Sequence, residues 1–65
     1  MLDQSYYTKV DAFLKNYPAG ERSLIPVIQD IQEEYGYLPP ELLTYVAQKI
    51  GISEAKAYSV ASFYV

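Results

Sequence analysis

The chain has 65 residues, a net charge of −3 and no cysteine or histidine, and 51% of its residues are hydrophobic. Without cysteine there is no disulfide, thiolate metal ligand or cysteine nucleophile, and without histidine the commonest general base is absent, which removes most enzyme classes. The hydrophobic content suits one small folded domain, and the negative charge argues against binding the phosphate backbone of a nucleic acid.

The first predicted helix spans residues 4–16, because apolar and aromatic side chains recur there at spacings of three and four. This stripe consists of Tyr6, Val10, Phe13, Leu14 and Tyr17. Asp3 or Ser5 is suited to cap its start. Pro18 ends it, since the residue before a proline avoids the helical region.

The second predicted helix spans residues 22–35. Its inner stripe is Leu24, Ile28, Ile31 and Tyr35. Pro26 is tolerated only near a helix start, where its missing N–H has no intrahelical acceptor, so it places the start close to Arg22 or Ser23. Gly36 is expected to end this helix in the left-handed conformation that glycine adopts easily.

The third and fourth predicted helices span residues 40–50 and 54–64. Pro40 suits the first position of a helix, Gly51 suits its C-terminal end, and Ser53 is a good cap for the fourth helix. The inner face of the fourth helix is predicted to carry Ala57, Val60, Ala61 and Tyr64. The sequence therefore predicts a small all-α bundle of three to four helices in one domain, residues 1–65.

The acidic residues of the second helix do not form a predicted site. Glu33 and Glu34 diverge by about 100° on a helix, and Asp30 with Glu34 offers too few oxygens for a hard cation. The turn at Gly51 imitates a helix-turn-helix DNA reader, yet the helix after this turn, the fourth predicted one, offers only Lys56 as a basic group. We expect no catalytic, cofactor-binding or metal-binding residue, and no nucleic acid partner.

Eight tyrosines and two phenylalanines are many for so short a chain. Two interpretations remain open: the rings cover a shallow core, or some form a docking face, since aromatic side chains anchor interfaces. Tyr37, Phe63 and Tyr64 are the best interface candidates, because they lie at a loop and at the C-terminal end of the last helix.

Three sequence segments resemble one known family: LIPVIQDIQEEYGYLPPELL, VAQKIGIS and YSVASFY. They resemble the N-terminal helical domain of the E-type subunit of NADH:quinone oxidoreductases and of the related small subunit of NAD(P)-linked hydrogenases. The turn at residues 35–39 and the Val-Ala-Ser-Phe-Tyr at residues 60–64 carry most of the likeness. In that family the helices precede a thioredoxin-like domain whose cysteines hold a [2Fe-2S] cluster.

The resemblance implies that this chain is the N-terminal fragment of a longer subunit, without the cluster-binding domain and without a cofactor of its own. The expected function is a noncatalytic scaffold and docking domain. The partners implied are a flavin-bearing NAD(P)H-binding subunit and other subunits of the redox complex. A freestanding helical interaction module is the main alternative, and a helix-turn-helix DNA-binding protein is a weaker one.

The expected location is the cytoplasm, with no direct insertion into a membrane. No run of residues approaches the about 20 apolar residues that cross a bilayer. Residues 1–4 also lack the basic segment followed by an apolar segment that begins a signal peptide.

Overall fold

Helices account for most of residues 2–64, the part of the chain that the computed structural model describes. They are α1 (Gln4–Leu14), α2 (Leu24–Tyr35), α3 (Pro40–Ile50) and α4 (Glu54–Tyr64), with a short 3-10 helix at Glu21–Ser23 before α2. These described residues contain no β-strand, so the all-α prediction is confirmed. The predicted bounds of α3 and α4 coincide with the observed ones.

The predicted bounds of the first two helices were slightly too wide. After Leu14 the chain tightens into a turn, in which the backbone N–H of Tyr17 donates to the carbonyl of Leu14 at 3.2 Å. The segment before α2 is 3-10 helical because Pro26 lacks the N–H that an α-helical bond to the carbonyl of Arg22 would need. Local hydrogen-bond chemistry thus shortens both elements.

Glycine ends α2 and α3, as predicted. Gly36 and Gly51 both have φ of +84°, and their backbone N–H groups donate to the carbonyls of Gln32 and Ala47 at 2.8 and 3.0 Å. These left-handed residues satisfy carbonyls that the helices leave free. Ser53 caps α4, since its hydroxyl oxygen accepts from the backbone N–H of Lys56 at 3.1 Å.

All four helices contribute to one buried core. Its members are Val10 from α1, Leu24, Val27, Ile28 and Ile31 from α2, Leu42, Leu43, Val46, Ala47 and Ile50 from α3, and Ala57 and Ala61 from α4. The predicted inner stripe of the second helix supplies three of them, Leu24, Ile28 and Ile31. Tyr64, predicted for the inner face of α4, is instead 40% exposed, so this part of the prediction was wrong. The buried residues of α4 are the alanines Ala57 and Ala61, and Val60 is partly buried against the core, as predicted.

Several tyrosines form a partly buried layer over this core. Tyr6 stacks on Tyr35 with ring centroids 4.5 Å apart, and Tyr7 meets Tyr45 edge to face at 5.0 Å. The hydroxyl of Tyr45 donates to the carboxylate of Asp11 at 2.6 Å, which ties α3 to α1. The packing of these four rings over the core explains their presence in the sequence.

Candidate functional site

An open groove lies where the end of α2, the loop after it, the start of α3 and the side of α4 meet. We call it the aromatic groove, and its volume is about 470 Å³. It is lined by Gln32, Gly36, Tyr37, Leu38, Pro40, Leu43, Tyr58, Ala61 and Ser62. None of these side chains is charged, so the groove suits an uncharged and largely apolar occupant.

Local backbone chemistry builds one wall of the groove. The left-handed Gly36 turns the chain sharply, which brings Tyr37 and Leu38 out of line with α2. Pro39 is fully buried and Pro40 begins α3, so two prolines fix the path of the loop. The backbone conformations of Gly36, Pro39 and Pro40 therefore fix the position of this wall.

Side-chain spacing on α4 builds the opposite wall. Tyr58, Ala61 and Ser62 are separated by three and four residues, which places them on one face of the helix. Ala61 is almost completely buried, and small side chains at two of the three positions leave room beside the ring. Tyr37 and Tyr58 are 53% and 44% exposed, so both walls present aromatic surface to solvent.

The structure separates the three predicted interface residues. Tyr37 lines the aromatic groove, whereas Tyr64 lies in a neighbouring shallow hollow with Gln29, Gln32 and Glu33. Phe63 lines neither and is 92% exposed. It is two residues from Ala61, and residues so spaced do not share a helix face.

Sequence reasoning did not select Tyr58 as one of the best interface candidates, although Tyr58 and Tyr37 both line the groove. Its spacing from Ala61 and Ser62 was a usable signal, because it placed a ring beside small side chains. What the sequence could not provide was the position of that face relative to the loop after α2. That position depends on how the helices pack.

Two of the three acidic residues of α2, Asp30 and Glu34, have separate partners. Asp30 accepts a hydrogen bond from the hydroxyl of Tyr17 at 2.8 Å, and Glu34 lies 3.8 Å from the ammonium of Lys9. Within residues 2–64 no cluster of three or more His, Cys, Asp or Glu is placed to hold a metal ion. Lys56 is the basic residue on which the helix-turn-helix hypothesis depends. Its ammonium lies 3.6 Å from the carboxylate of Glu21.

Three tyrosines of the bundle have raised pKa values. The hydrogen bond to Asp11 raises the pKa of Tyr45, and the hydrogen bond to Asp30 raises the pKa of Tyr17. Burial is the main reason that the pKa of Tyr35 is raised. In each case the neutral phenol is favoured, so Tyr17 and Tyr45 act as hydrogen-bond donors and Tyr35 acts as a packing surface.

Comparison with known proteins identifies the family. The model of the thioredoxin-like [2Fe-2S] ferredoxin family matches residues 10–65, which is most of the chain. The chain belongs to the thioredoxin-like [2Fe-2S] ferredoxin family. The resemblance seen in the sequence is thereby confirmed.

Curated members of this family align with almost the whole chain. The NADP-reducing hydrogenase subunit HndA of Solidesulfovibrio fructosivorans is 36% identical over 98% of this chain, which covers 37% of that protein. An E-type NADH-quinone oxidoreductase subunit of Rhizobium meliloti is 32% identical over 86% of this chain and 33% of its own length. The NADH-quinone oxidoreductase subunit 2 of Thermus thermophilus is 34% identical over 83% of this chain and 30% of its own.

The chain therefore spans about a third of the length of these relatives. No solved structure matches it significantly. No helix within residues 2–64 is both long and apolar enough to cross a membrane.

The cluster that gives this family its name does not fit the residues of this chain. The sequence contains no cysteine, and the described carboxylates do not converge on a common point. Thiolates are the usual ligands of a [2Fe-2S] cluster. No electron-transfer step is therefore assigned to these helices.

Proposed function

We propose that this chain is the noncatalytic helical part of a [2Fe-2S] electron-transfer subunit, and that it helps to dock the subunit within a redox complex. The observation that carries the proposal is the uncharged aromatic groove on a chain of this family. Aromatic side chains at well-formed hollows contribute much of the binding energy of protein interfaces.

The proposed setting is an NADH:quinone oxidoreductase or an NAD(P)-linked hydrogenase in the cytoplasm. Relatives of this chain carry both names. In this proposal the complete subunit holds its cluster in a cysteine-containing domain and exchanges electrons with a flavin-bearing NAD(P)H-binding subunit. The helices contribute contact surface and orientation, and they contribute no redox group.

The test is direct binding to the flavin-bearing subunit from the same genome. The purified chain is immobilised, the purified flavin-bearing subunit is passed over it, and the equilibrium constant is measured. Tyr58→Ala should weaken binding at least about fivefold, since a truncated interface anchor costs more than about 1 kcal/mol. Because Tyr58 is 44% exposed, we expect the helical circular dichroism signal to be preserved.

Phe63→Ala is the matched control, since it removes an aromatic ring from the same helix outside the groove. It should change the affinity by less than about twofold. Failure of the unsubstituted chain to bind the flavin-bearing subunit would contradict the proposal. It would favour a freestanding interaction module instead.

A further inference from the structure

A second depression lies beside the aromatic groove, and its lining is polar. We call it the polar hollow. Its volume is about 360 Å³, and it is lined by Gln29, Gln32, Glu33 and Tyr64. The three residues from α2 are three and four positions apart, so they share one face of that helix. Tyr64 of α4 completes the lining. Gln32 also lines the aromatic groove, so the two depressions are adjacent.

The lining of the polar hollow consists of hydrogen-bond acceptors around one negative charge. The side chain of Glu33 is exposed, and the ion pairs among residues 2–64 use other carboxylates, those of Glu34 and Glu21. The carboxamide oxygens of Gln29 and Gln32 are further acceptors, and the face of the Tyr64 ring attracts cations. None of the five lysine and arginine residues of the chain lines the hollow. The hollow therefore favours a cationic occupant that donates several hydrogen bonds.

The end of α2 strengthens this preference. Gln32 and Glu33 lie in the last turn of α2, which contains no basic residue, whereas the last turn of α3 contains Lys49. The C-terminal end of a helix carries partial negative charge, and it attracts cations within about one turn. The backbone of α2 and the side chains of the hollow thus favour a charge of the same sign.

We infer that the polar hollow binds an arginine side chain of the protein that docks on this chain. This inference rests on the proposed docking function and adds the chemistry of one contact beside the groove. A guanidinium group is planar, pairs with a carboxylate through two parallel hydrogen bonds and stacks on aromatic rings. In this contact Glu33 accepts the paired bonds and the ring of Tyr64 stacks on the guanidinium. The compact ammonium of lysine matches such a lining less well.

A second copy of this chain is a less suitable source of the arginine. Its only arginine is Arg22, which lies in the 3-10 helix before α2. The hollow includes residues from the last turn of α2, at the other end of that helix. A contact between these unlike ends joins copies head to tail, which produces a ring or an open filament rather than the common two-fold dimer. An arginine of a different protein is therefore the better match.

The chemistry of the hollow is tested with a small probe. Acetyl-arginine amide is added to the isotope-labelled chain, and the amide signals are followed by NMR. Acetyl-citrulline amide is the matched probe, because citrulline keeps the shape of the side chain without its charge, and sodium chloride equalises the ionic strength. The arginine probe should shift the side-chain amide signals of Gln29 and Gln32 at least about threefold more than the citrulline probe does.

Substitutions assign these shifts to the polar hollow. Glu33→Gln removes the charge but keeps the shape, so it should reduce the arginine-induced shifts at least about threefold. Glu34→Gln is the matched control, because it removes the neighbouring charge, which pairs with Lys9 and does not line the hollow. It should leave the shifts within about 1.5-fold. Tyr64→Leu should also reduce them, since it removes the aromatic face. Circular dichroism of each variant verifies its helical fold.

The flavin-bearing subunit provides a second test. Glu33→Gln should weaken its binding at least about threefold, and added salt should reduce the difference from the unsubstituted chain. The surface arginines of the subunit are then replaced by glutamine one at a time. One replacement should weaken binding of the unsubstituted chain and have little further effect on Glu33→Gln, because the effects of contacting residues are not additive.

Three results would overturn the inference. The first is equal shifts from the arginine and citrulline probes, or arginine-induced shifts that Glu33→Gln leaves unchanged. The second is larger shifts from a lysine probe of the same form, which would assign the hollow to an ammonium group. The third is self-association that Arg22→Gln abolishes, measured by sedimentation, which would assign the hollow to a second copy.

The two proposals fail separately. If the flavin-bearing subunit binds in a Tyr58-dependent manner and binds Glu33→Gln equally well, docking through the groove is retained and the arginine contact is wrong. If the subunit does not bind but the arginine probe shifts the hollow in a Glu33-dependent manner, docking on that subunit is wrong and the chemistry of the hollow is retained.

Discussion

Replacement of Gly36 by valine tests the turn that shapes the aromatic groove. Gly36 has φ of +84°, and a Cβ built on it would meet no atom within 4 Å beyond its immediate chain neighbours. The substitution therefore causes no tertiary clash, and its penalty comes from the backbone alone. A residue other than glycine in the left-handed region costs about 1–2 kcal/mol, and β-branching adds to this.

The unfolded chain partly offsets this penalty. A glycine replacement reduces the conformational freedom of the unfolded state, which stabilises the folded state by about 0.4–1 kcal/mol. The net expectation is that Gly36→Val lowers the free energy of unfolding by about 1 kcal/mol or more. For a domain of this size, 1 kcal/mol corresponds to about 4–8 °C in Tm.

Thermal and urea denaturation, followed by circular dichroism, measure this effect. Gly36→Asn is the control, because asparagine adopts the left-handed conformation more easily, and it should lose clearly less stability than valine. Gly51→Val is a second example at the same φ, also with no atom near its built Cβ, and it should behave alike. Equal Tm values for Gly36→Val and the parent chain would refute the reasoning.

Three further results are expected. Tyr45→Phe keeps the ring but removes the donor to Asp11, so it should lower the free energy of unfolding by about 1 kcal/mol in urea denaturation. The raised pKa values of Tyr17, Tyr35 and Tyr45 favour their neutral phenols in the folded state, so their contribution to stability should be constant from neutral pH to about pH 10 and be lost as pH rises further, which urea titrations at rising pH will measure. Ile31→Ala, at a fully buried position, should cost about 2–5 kcal/mol and leave little cooperative thermal unfolding.

The sequence predicted the helices well because their ends are determined locally. Gly36, Pro40, Gly51 and Ser53 each act on the backbone of a few neighbouring residues, so their effect is readable without knowledge of packing. The start of α2 was placed less accurately, because Pro26 permits a 3-10 segment as well as an α-helix before it.

The site was less predictable, because its two walls are distant in the sequence. Tyr37 was selected for its place in a loop, and it does line the groove. Phe63 was selected for its place near a helix end, yet it lies on another side of α4 from Tyr58. Only the packing of α4 against α2 and α3 determines which of these rings faces the loop.

The composition of α4 connects the fold with the proposed docking function. Apolar residues occur all around this helix, a pattern typical of a helix that is covered on every side. Among the residues of α4 up to Tyr64, only Ala57 and Ala61 are buried, while Tyr58, Phe63 and Tyr64 remain exposed. The folding role and the surface role therefore fall on different side chains of one helix. For this reason, truncation of Tyr58 is expected to affect binding far more than stability.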